Sequence, residues 1–387
     1  MGEPRRIRVL WFIKGLGPGG AEQLLVNSLP HLDRERFAYE VAYLLAHKDD
    51  RVAAFESHGV PVHCLDGRHP LALMASARRL ARLLAEREID VVDAHLPYSG
   101  VIARLAARRA GTPVQVYTEH NLTVQRSLTR FRFLSFAANA ATYGLVDTVV
   151  AVSGATRADA ERVARGRVPT RLVYNGIPLD AVRPNAESSL RARRALGVPD
   201  GHLVVGHVAT MTAKKGQADL LRAAQEVLRT MPEVTFVVVG KGPLEGDLAD
   251  LARQLGIASR VIFTGYLPEP LAAIGAFDLL ALASIHEGLP TVAIEAQALG
   301  VPVVATRVGG TSEVVEDGVT GLLVPPRRPG ELAGALLALL GDGERRREMG
   351  AAAERLAHER FDIRRRVREV EDLYRELLGT SRAPARP

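Results

Sequence analysis

Residues 8–20 read Arg8-Val9-Leu10-Trp11-Phe12-Ile13-Lys14-Gly15-Leu16-Gly17-Pro18-Gly19-Gly20, an apolar run that leads into a glycine-rich loop. The apolar run predicts a first β-strand, and the loop is expected to open a helix. Its glycines have the spacing G-x-G-x-x-G, which suits a loop that directs backbone N–H groups and a helix N-terminus at an anion. A tight turn without a ligand is the alternative, and Glu22 in the first helical turn then only matches the helix dipole.

A dinucleotide site needs one more feature, an acidic residue at the end of the second strand that holds the ribose. Here the second predicted strand ends in Leu44-Leu45-Ala46-His47, without a carboxylate, and Glu40 lies at its other end. The sequence therefore supports an anion site lined by backbone and argues against NAD.

Short β-branched runs alternate with longer helical patterns along the whole chain, as in parallel βαβ units. The predicted strands of the first series are 8–13, 39–45, 60–64, 91–94, 114–118, 148–152 and 171–174. Those of the second series are 204–208, 235–239, 261–264, 279–281, 303–305 and 321–324. Because each series is complete in itself, we predict an α/β protein with two doubly wound, Rossmann-like domains.

The turn-rich segment 175–184 separates the two series and is the expected hinge. We place an N-terminal domain at residues 1–180 and a C-terminal domain at 190–361. A last helix, 362–378, has no strand of its own, and we expect it to pack back on the first domain.

The composition of the 387 residues, with 47% hydrophobic and 24% charged, is that of a soluble globular protein. The single cysteine, Cys64, excludes an internal disulfide and a cysteine-based zinc cluster, and we expect it to be a buried thiol. No apolar run reaches the roughly 18–20 residues that span a bilayer. Since the first apolar run also lacks a cleavage site, we expect a cytoplasmic protein, with peripheral contact to the inner membrane face as a further hypothesis.

The positive charge is concentrated in the first half of the chain. Residues 1–185 hold 25 Lys and Arg against 18 Asp and Glu, whereas residues 186–387 hold 25 against 26. An anionic partner is one interpretation, and an Arg-rich surface without a partner is the other. Nucleic acid is not expected, because no helix-turn-helix, zinc-finger or RNA-binding motif accompanies the charge.

Two basic clusters carry the hypothesis that the first domain docks on a membrane or on a lipid-linked phosphate. They are Arg78, Arg79 and Arg82, beside leucines, and Arg126, Arg130 and Arg132, among leucines and phenylalanines. The alternative is that these helices bury their apolar side chains in the domain and only solvate their arginines.

The strongest local signal is Ser284-Ile285-His286-Glu287-Gly288-Leu289-Pro290-Thr291-Val292-Ala293-Ile294-Glu295-Ala296. Pro290 suits a first helical position, so that Glu287 lies in the loop before a helix and Glu295 lies about one and a half turns inside it. Each carboxylate can accept two hydrogen bonds from sugar hydroxyls. The motif therefore predicts a site for a hydroxyl-rich ligand.

Glu-x7-Glu in this setting resembles the signature of the family 4 retaining glycosyltransferases, which have the GT-B fold of two Rossmann-like domains facing a cleft. The similarity extends over nearly the whole chain. The matching segments, in order, are Gly19–Glu22, Asp93–His95, Thr118–His120, Val152-Ser153, Tyr174–Ile177, Lys215-Gly216, Val239–Pro243 and Gly309-Gly310.

The resemblance implies roles for residues of the second domain. Lys215 binds the donor diphosphate, Glu295 holds the ribose, and Glu287, with Gly288, Leu289 and Pro290, contacts the sugar and phosphate. Gly240 and Gly242 permit close approach of the nucleotide. The family often has arginine where this chain has Thr210, and a hydroxyl cannot neutralise a diphosphate as a guanidinium does.

Residues of the first domain are assigned to the acceptor side. His95 and His120 follow predicted strands at the edge where open α/β sheets bind ligands. The family places a histidine at the position of His120, near the reacting sugar, so that His120 joins Glu287 and Lys215 as a catalytic candidate. Gly19, Gly20 and His95 are acceptor-side candidates, although an ordinary hydrogen-bonding role for His95 remains open.

The implied reaction is metal-independent, retaining transfer of a hexose from a nucleotide-diphosphate sugar, UDP-sugar rather than GDP-sugar, to an acceptor hydroxyl. No cofactor and no metal site are expected, since the chain has no Asp-x-Asp motif. Three alternatives are a nucleotide-sugar epimerase of the same fold, an NAD-dependent oxidoreductase and an inactive sugar-nucleotide-binding module.

Overall fold

The computed structural model describes residues 5–66, 73–121, 137–182, 186–267 and 270–381. The chain divides into two compact units. The first unit comprises residues 1–176 and 363–387, and the second comprises residues 177–362.

The first unit is built on a parallel sheet of seven strands in the order β3-β2-β1-β4-β5-β6-β7. The strands are β1 (Ile7–Ile13), β2 (Phe37–Tyr43), β3 (Val62–Cys64), β4 (Val91–His95), β5 (Val114–Glu119), β6 (Thr148–Ala151) and β7 (Thr170–Leu172). The helices are α1 (Gly20–Ser28), α2 (Val52–Ser57), α3 (Leu73–Glu86), α4 (Pro97–Ala110) and α5 (Gly154–Ala164).

Strand β1 explains why the first apolar run has no polar alternation. It pairs with β2 on one side and with β4 on the other, and helices cover both faces of the sheet. Val9, Trp11 and Ile13 enter one hydrophobic core, whereas Leu10 and Phe12 enter the core on the opposite face. Because β1 is buried on both faces from Val9 to Ile13, it is apolar on both faces over this stretch.

The second unit has a parallel sheet of six strands in the order β10-β9-β8-β11-β12-β13. The strands are β8 (Leu203–Val208), β9 (Val234–Val239), β10 (Val261–Gly265), β11 (Leu279–Leu282), β12 (Val303–Thr306) and β13 (Gly321–Val324). The helices are α6 (Ala186–Ala195), α7 (Gln217–Thr230), α8 (Glu245–Gln254), α9 (Leu271–Ile274), α10 (Thr291–Ala298), α11 (Thr311–Val314), α12 (Pro329–Leu340) and α13 (Gly343–Arg360).

The last helix, α14 (Ile363–Ser381), belongs to the first unit. Its buried hydrophobic residues enter the same core as Trp11 and Phe37. They are Ile363, Val367, Val370, Leu373, Tyr374 and Leu378. The apolar stripe of α14 thus closes one face of a sheet whose central strand β1 lies some 350 residues earlier in the sequence.

The predicted fold class is confirmed, because both series of strands form doubly wound parallel sheets. The bounds of individual strands shift by a residue or two. The largest shift is in β2, which ends at Tyr43, so that Leu44 and Leu45 lie in the loop after it. Among the described helices, none combines the length and the apolar character needed to cross a membrane.

The structure corrects the prediction for Cys64 and describes one of the two basic clusters. Cys64 is exposed, because it ends the short edge strand β3, so the expectation of a buried thiol is wrong. On α3, Arg78, Arg79 and Arg82 are exposed while Leu80 and Leu84 enter the core, as the solvated-arginine alternative expects. The second cluster, with Arg126, Arg130 and Arg132, lies outside the described residues.

Candidate functional site

An ion pair joins two loops at the carboxyl edge of the second sheet. Lys215 Nζ lies 2.6 Å from Glu287 Oε1, although 72 residues separate them, and Ser284 Oγ donates to the same oxygen at 2.6 Å. The Lys215 side chain is 21% exposed and that of Glu287 is 10% exposed. Lys215 follows β8 and Glu287 follows β11, which are neighbouring strands, so the topology brings the two predicted catalytic side chains together.

Backbone packing holds these loops against each other. The Ile285 N–H donates to the Lys214 carbonyl at 2.8 Å. Gly216 has a φ of +68°, and a Cβ there would collide with the Ala283 carbonyl oxygen. Only glycine fits such a left-handed and crowded position, so the loop geometry requires the glycine that follows Lys215.

The segment after Glu287 leads directly into α10. Pro290 caps this helix, the Gly310 N–H donates to the Gly288 carbonyl at 3.0 Å, and Leu289 and Pro290 are buried. His286 is exposed beside the motif, consistent with a peripheral position.

Glu295 lies inside α10 and is half-buried. Within the described part of the chain its carboxylate accepts no hydrogen bond from another residue. Densely packed protein atoms desolvate the carboxylate and raise the pKa of Glu295 to about 7. A desolvated acceptor without a protein donor is suited to bind ligand hydroxyls.

Gly240 and Gly242 lie in the loop after β9 and approach the loop after β8 closely. A Cβ on Gly240 would collide with the Ala209 carbonyl oxygen, and one on Gly242 with Met211. Thr210 is exposed between them, and its carbonyl accepts a hydrogen bond from the buried Gln217 side chain at 3.1 Å. These glycines therefore also serve to pack the two loops.

His207 is a feature of this region that the sequence analysis missed. It is fully buried on β8, and its Nδ1 lies 2.8 Å from the Ala281 carbonyl, to which it donates. Burial, with a smaller contribution from the Lys215 charge, lowers its pKa to about 4. The neutral ring adds no positive charge beside Lys215. The sequence gives no sign that His207 lies in this region, because His207 stands within an otherwise apolar strand.

In the first unit the glycine loop is clasped by the loop after β2. The Leu16 N–H donates to the Lys48 carbonyl at 2.7 Å, and the Arg51 N–H donates to the Leu16 carbonyl at 2.9 Å. Gly19 caps α1, and a Cβ there would collide with the carboxylate of Glu22. Gly20 is exposed at the start of α1. Burial raises the pKa of Glu22, against the attraction of Lys48 and Arg51.

His95 and His120 meet at the carboxyl edge of the first sheet, 3.0 Å apart between Nδ1 of His95 and Nε2 of His120. His95 ends β4, and His120 follows β5, the neighbouring strand. Leu96, directly after His95, has a φ of +73°, a strained value for leucine. Both imidazoles are buried, and burial lowers the pKa of each, that of His95 to about 3.

Asp93, also on β4, is a third buried polar group and lies beside His95. Asp93 lies two residues before His95 and so on the same face of the strand, a periodicity that could have revealed it. Its carboxylate accepts hydrogen bonds from Thr118 and from Tyr374, at 2.8 and 2.7 Å. Tyr374 lies on α14, a contact that sequence spacing does not disclose.

The sequence-predicted site residues therefore fall into two groups, one in each unit. Gly19, Gly20, His95 and His120 belong to the first unit, and Thr210, Lys215, Gly240, Gly242, Glu287, Gly288, Leu289, Pro290 and Glu295 to the second. Among described residues, no three His, Cys, Asp or Glu side chains gather as a metal site would require.

Family models match both halves of the chain. The family model for glycosyl transferases group 1 matches residues 189–356, and that for glycosyltransferase family 4 matches residues 18–181. The GDP-mannose-dependent alpha-(1-6)-phosphatidylinositol monomannoside mannosyltransferase of Mycolicibacterium smegmatis is 33% identical over 79% of this chain and 82% of its own length. The D-inositol 3-phosphate glycosyltransferase of Acidothermus cellulolyticus is 33% identical over 82% of this chain and 74% of its own.

A solved structure resembles the chain over nearly its whole length. HepE from Anabaena, crystallised with UDP-glucose, has a TM-score of 0.83 at 25% identity and covers 97% of this chain and 100% of its own.

Proposed function

Since this chain belongs to the group 1 glycosyl transferases of glycosyltransferase family 4, we propose that it transfers a hexose from a nucleotide-diphosphate sugar to an acceptor hydroxyl with retention of anomeric configuration. The second unit binds the donor, and the first unit supplies the acceptor-side residues.

The ion pair of Lys215 with Glu287 is the observation that carries this proposal. An ammonium has three N–H donors, and Glu287 occupies one of them, so that Lys215 keeps donors for diphosphate oxygens. Glu287 in turn keeps an oxygen for a sugar hydroxyl, and Glu295 offers a carboxylate to the ribose. The ammonium group therefore complements the charge of the diphosphate, and the two carboxylates complement the hydroxyl groups of the sugar and the ribose.

Leaving-group stabilisation is the main catalytic contribution that these residues offer. The bond between the anomeric carbon and the diphosphate oxygen breaks while the acceptor oxygen bonds to the same face, and the acceptor proton passes to the departing diphosphate. Lys215 and the backbone amides ahead of α10 stabilise the negative charge that develops on the diphosphate. We propose that this stabilisation replaces a metal ion.

Different relatives support narrower proposals for the donor nucleotide and for the acceptor. HepE was crystallised with UDP-glucose, which supports a UDP-sugar donor, whereas the Mycolicibacterium relative is named as GDP-mannose-dependent. Two relatives are named for phosphorylated inositol acceptors, which supports an anionic, lipid-linked or phosphate-bearing acceptor here. Thermal-shift screening against UDP-, GDP- and ADP-sugars decides the donor, and stabilisation by GDP-sugars alone would reverse our choice.

A transfer assay with Lys215→Ala tests the catalytic proposal. We expect kcat to fall by about 100-fold or more, because one charged donor to the leaving group is lost. Arg229→Ala is the matched control, since it removes a single positive charge from an exposed position on α7 of the same unit.

Two further readouts separate the alternatives. Wild-type activity should persist in excess EDTA, and loss of activity that Mg²⁺ restores would refute the metal-independent reaction. NMR of the product should show the anomeric configuration of the donor. Conversion of the sugar nucleotide to an epimer without any acceptor would instead establish an epimerase.

A further inference from the structure

A chain of polar side chains runs from α14 to His120 inside the first unit. Asp93, His95 and His120 are 1%, 1% and 9% exposed. His95 Nδ1 lies 3.0 Å from His120 Nε2, and His95 Nε2 lies 3.9 Å from Asp93 Oδ1. The last distance is too long for a hydrogen bond, but it is short enough for the carboxylate charge to act on the ring.

Helix α14 holds the carboxylate of Asp93 in place. The Tyr374 hydroxyl donates to Oδ2 at 2.7 Å, while the Thr118 hydroxyl donates to Oδ1 at 2.8 Å. Arg366, one α14 turn from Val370, is 5% exposed and attracts the Asp93 charge. Asp93, His95, Arg366 and Tyr374 together line a cavity of about 10 Å³.

Both imidazoles are neutral near physiological pH, because burial and the nearby Arg366 cation disfavour their charged forms. A neutral imidazole carries one N–H and one lone pair. The contact between the rings therefore has two arrangements. Either both histidines carry their proton on Nε2, or both carry it on Nδ1.

The carboxylate distinguishes between these arrangements. With the proton on Nε2, His95 directs a positive N–H edge at Asp93, whereas the other tautomer directs a lone pair at the negative charge. His95 Nδ1 then accepts from His120 Nε2–H, which leaves the lone pair on His120 Nδ1. No described residue donates to His95 Nε2, so no hydrogen bond within the described chain opposes this choice.

We propose that Asp93, held by Tyr374 of the C-terminal helix and by Thr118, fixes His120 as the Nε2–H tautomer, so that Nδ1 of His120 accepts a hydrogen bond from a substrate hydroxyl. Asp93, His95, Thr118 and Tyr374 are positioning residues that act through His120. The identity of the donating group as a sugar or acceptor hydroxyl rests on the proposed function, whereas the tautomer itself does not.

Ring nitrogen NMR of the full chain, labelled with ¹⁵N-histidine and recorded at pH 8 without substrate, tests the tautomer directly. His95→Gln and His120→Gln identify the two sets of signals. We expect protonated Nε2 and unprotonated Nδ1 in both rings. Protonated Nδ1 on His120 would overturn the proposal, whatever activity the enzyme has.

Two variants and a matched control connect the tautomer to turnover. Tyr374→Phe and Asp93→Asn should shift the His120 ring signals toward a mixture of tautomers. They should also lower kcat by roughly three- to tenfold, with little change in the KM of the donor, as expected for one hydrogen bond. Tyr39→Phe removes an equally buried hydroxyl, which donates at 2.9 Å to Glu371 on the same helix and does not bond to Asp93.

The control variant should leave the His120 signals unchanged. Equal shifts in Tyr39→Phe and Tyr374→Phe would show a general effect of α14 packing and refute the specific role of Asp93. Normal kcat in variants whose tautomer has changed would refute the contact of Nδ1 with substrate, while the donor assignment of the second unit would stand.

Discussion

At the scale of single residues, desolvation determines what Glu295 can do. A carboxylate in water gains little from exchanging water for ligand hydroxyls, whereas a desolvated carboxylate without protein donors gains two hydrogen bonds. The same desolvation raises the pKa of Glu295 to about 7. Nucleotide binding and proton release should therefore be coupled near neutral pH.

Calorimetry in buffers of different ionisation enthalpy measures this coupling. Because the pKa of Glu295 is raised to about 7, part of the free protein carries a proton there near neutral pH, and ribose hydroxyls that donate to the carboxylate favour its ionised form, so we expect nucleotide binding to release protons at pH 7. Affinity should fall as the pH drops below 7 and level off above it. Glu295→Ala should weaken binding by about 1.5–3 kcal/mol.

The variant also serves as the control for protons that the nucleotide itself releases, because these are common to both proteins. Identical proton release by the wild type and Glu295→Ala would show that the carboxylate does not contact the donor.

At the scale of elements, the site of the second unit consists of loops that glycines allow to approach. Gly309 has a φ of +51°, and a Cβ there would collide with the Glu287 carbonyl oxygen. Gly318 has a φ of +79° but open space around it. The two positions share backbone strain and differ in crowding, so they form a matched pair.

Gly318→Ala should cost about 1 kcal/mol of stability, the cost of a left-handed alanine, without loss of nucleotide affinity. Gly309→Ala should cost more and should also weaken nucleotide binding, because the backbone at Glu287 must move. Thermal unfolding and titration of both variants provide the measurement. Equal nucleotide affinity in the two variants would mean that the loop around Glu287 tolerates displacement.

Elements were also the level at which the sequence was most informative. Runs of apolar and β-branched residues predicted every strand of both sheets to within two residues, because most positions of a strand buried on both faces are apolar. Buried polar side chains such as Asp93 on β4 and His207 on β8 are exceptions to this pattern. The order of the loops along the sheet edge then brought Lys215 to Glu287. Side-chain partners contributed by α14 could not be predicted, since an amphipathic helix shows that it packs but not which residue its Tyr374 or Arg366 meets.

At the scale of the whole molecule, the first unit is not continuous in sequence, because the last helix of the chain returns to it. Only Phe361 and Asp362 separate α13 from α14, yet α13 belongs to the second unit and α14 to the first. The core of the first unit therefore depends on side chains from the last residues of the chain, among them Leu373, which is 5% exposed.

Leu373→Ala should cost about 2–5 kcal/mol, as for other buried leucines. Local unfolding follows spatial rather than sequence neighbours, so hydrogen exchange should accelerate in β1, β2 and α1 and remain slow in α13.

Leu339→Ala, at a fully buried position of α12, is the control variant in the second unit, and it should accelerate exchange in that unit instead. Faster exchange in α13 than in β1 after Leu373→Ala would contradict the assignment of α14 to the first unit. The order of effects matters more than their size, because α13 is the element next to the substitution in sequence and β1 is the most distant one.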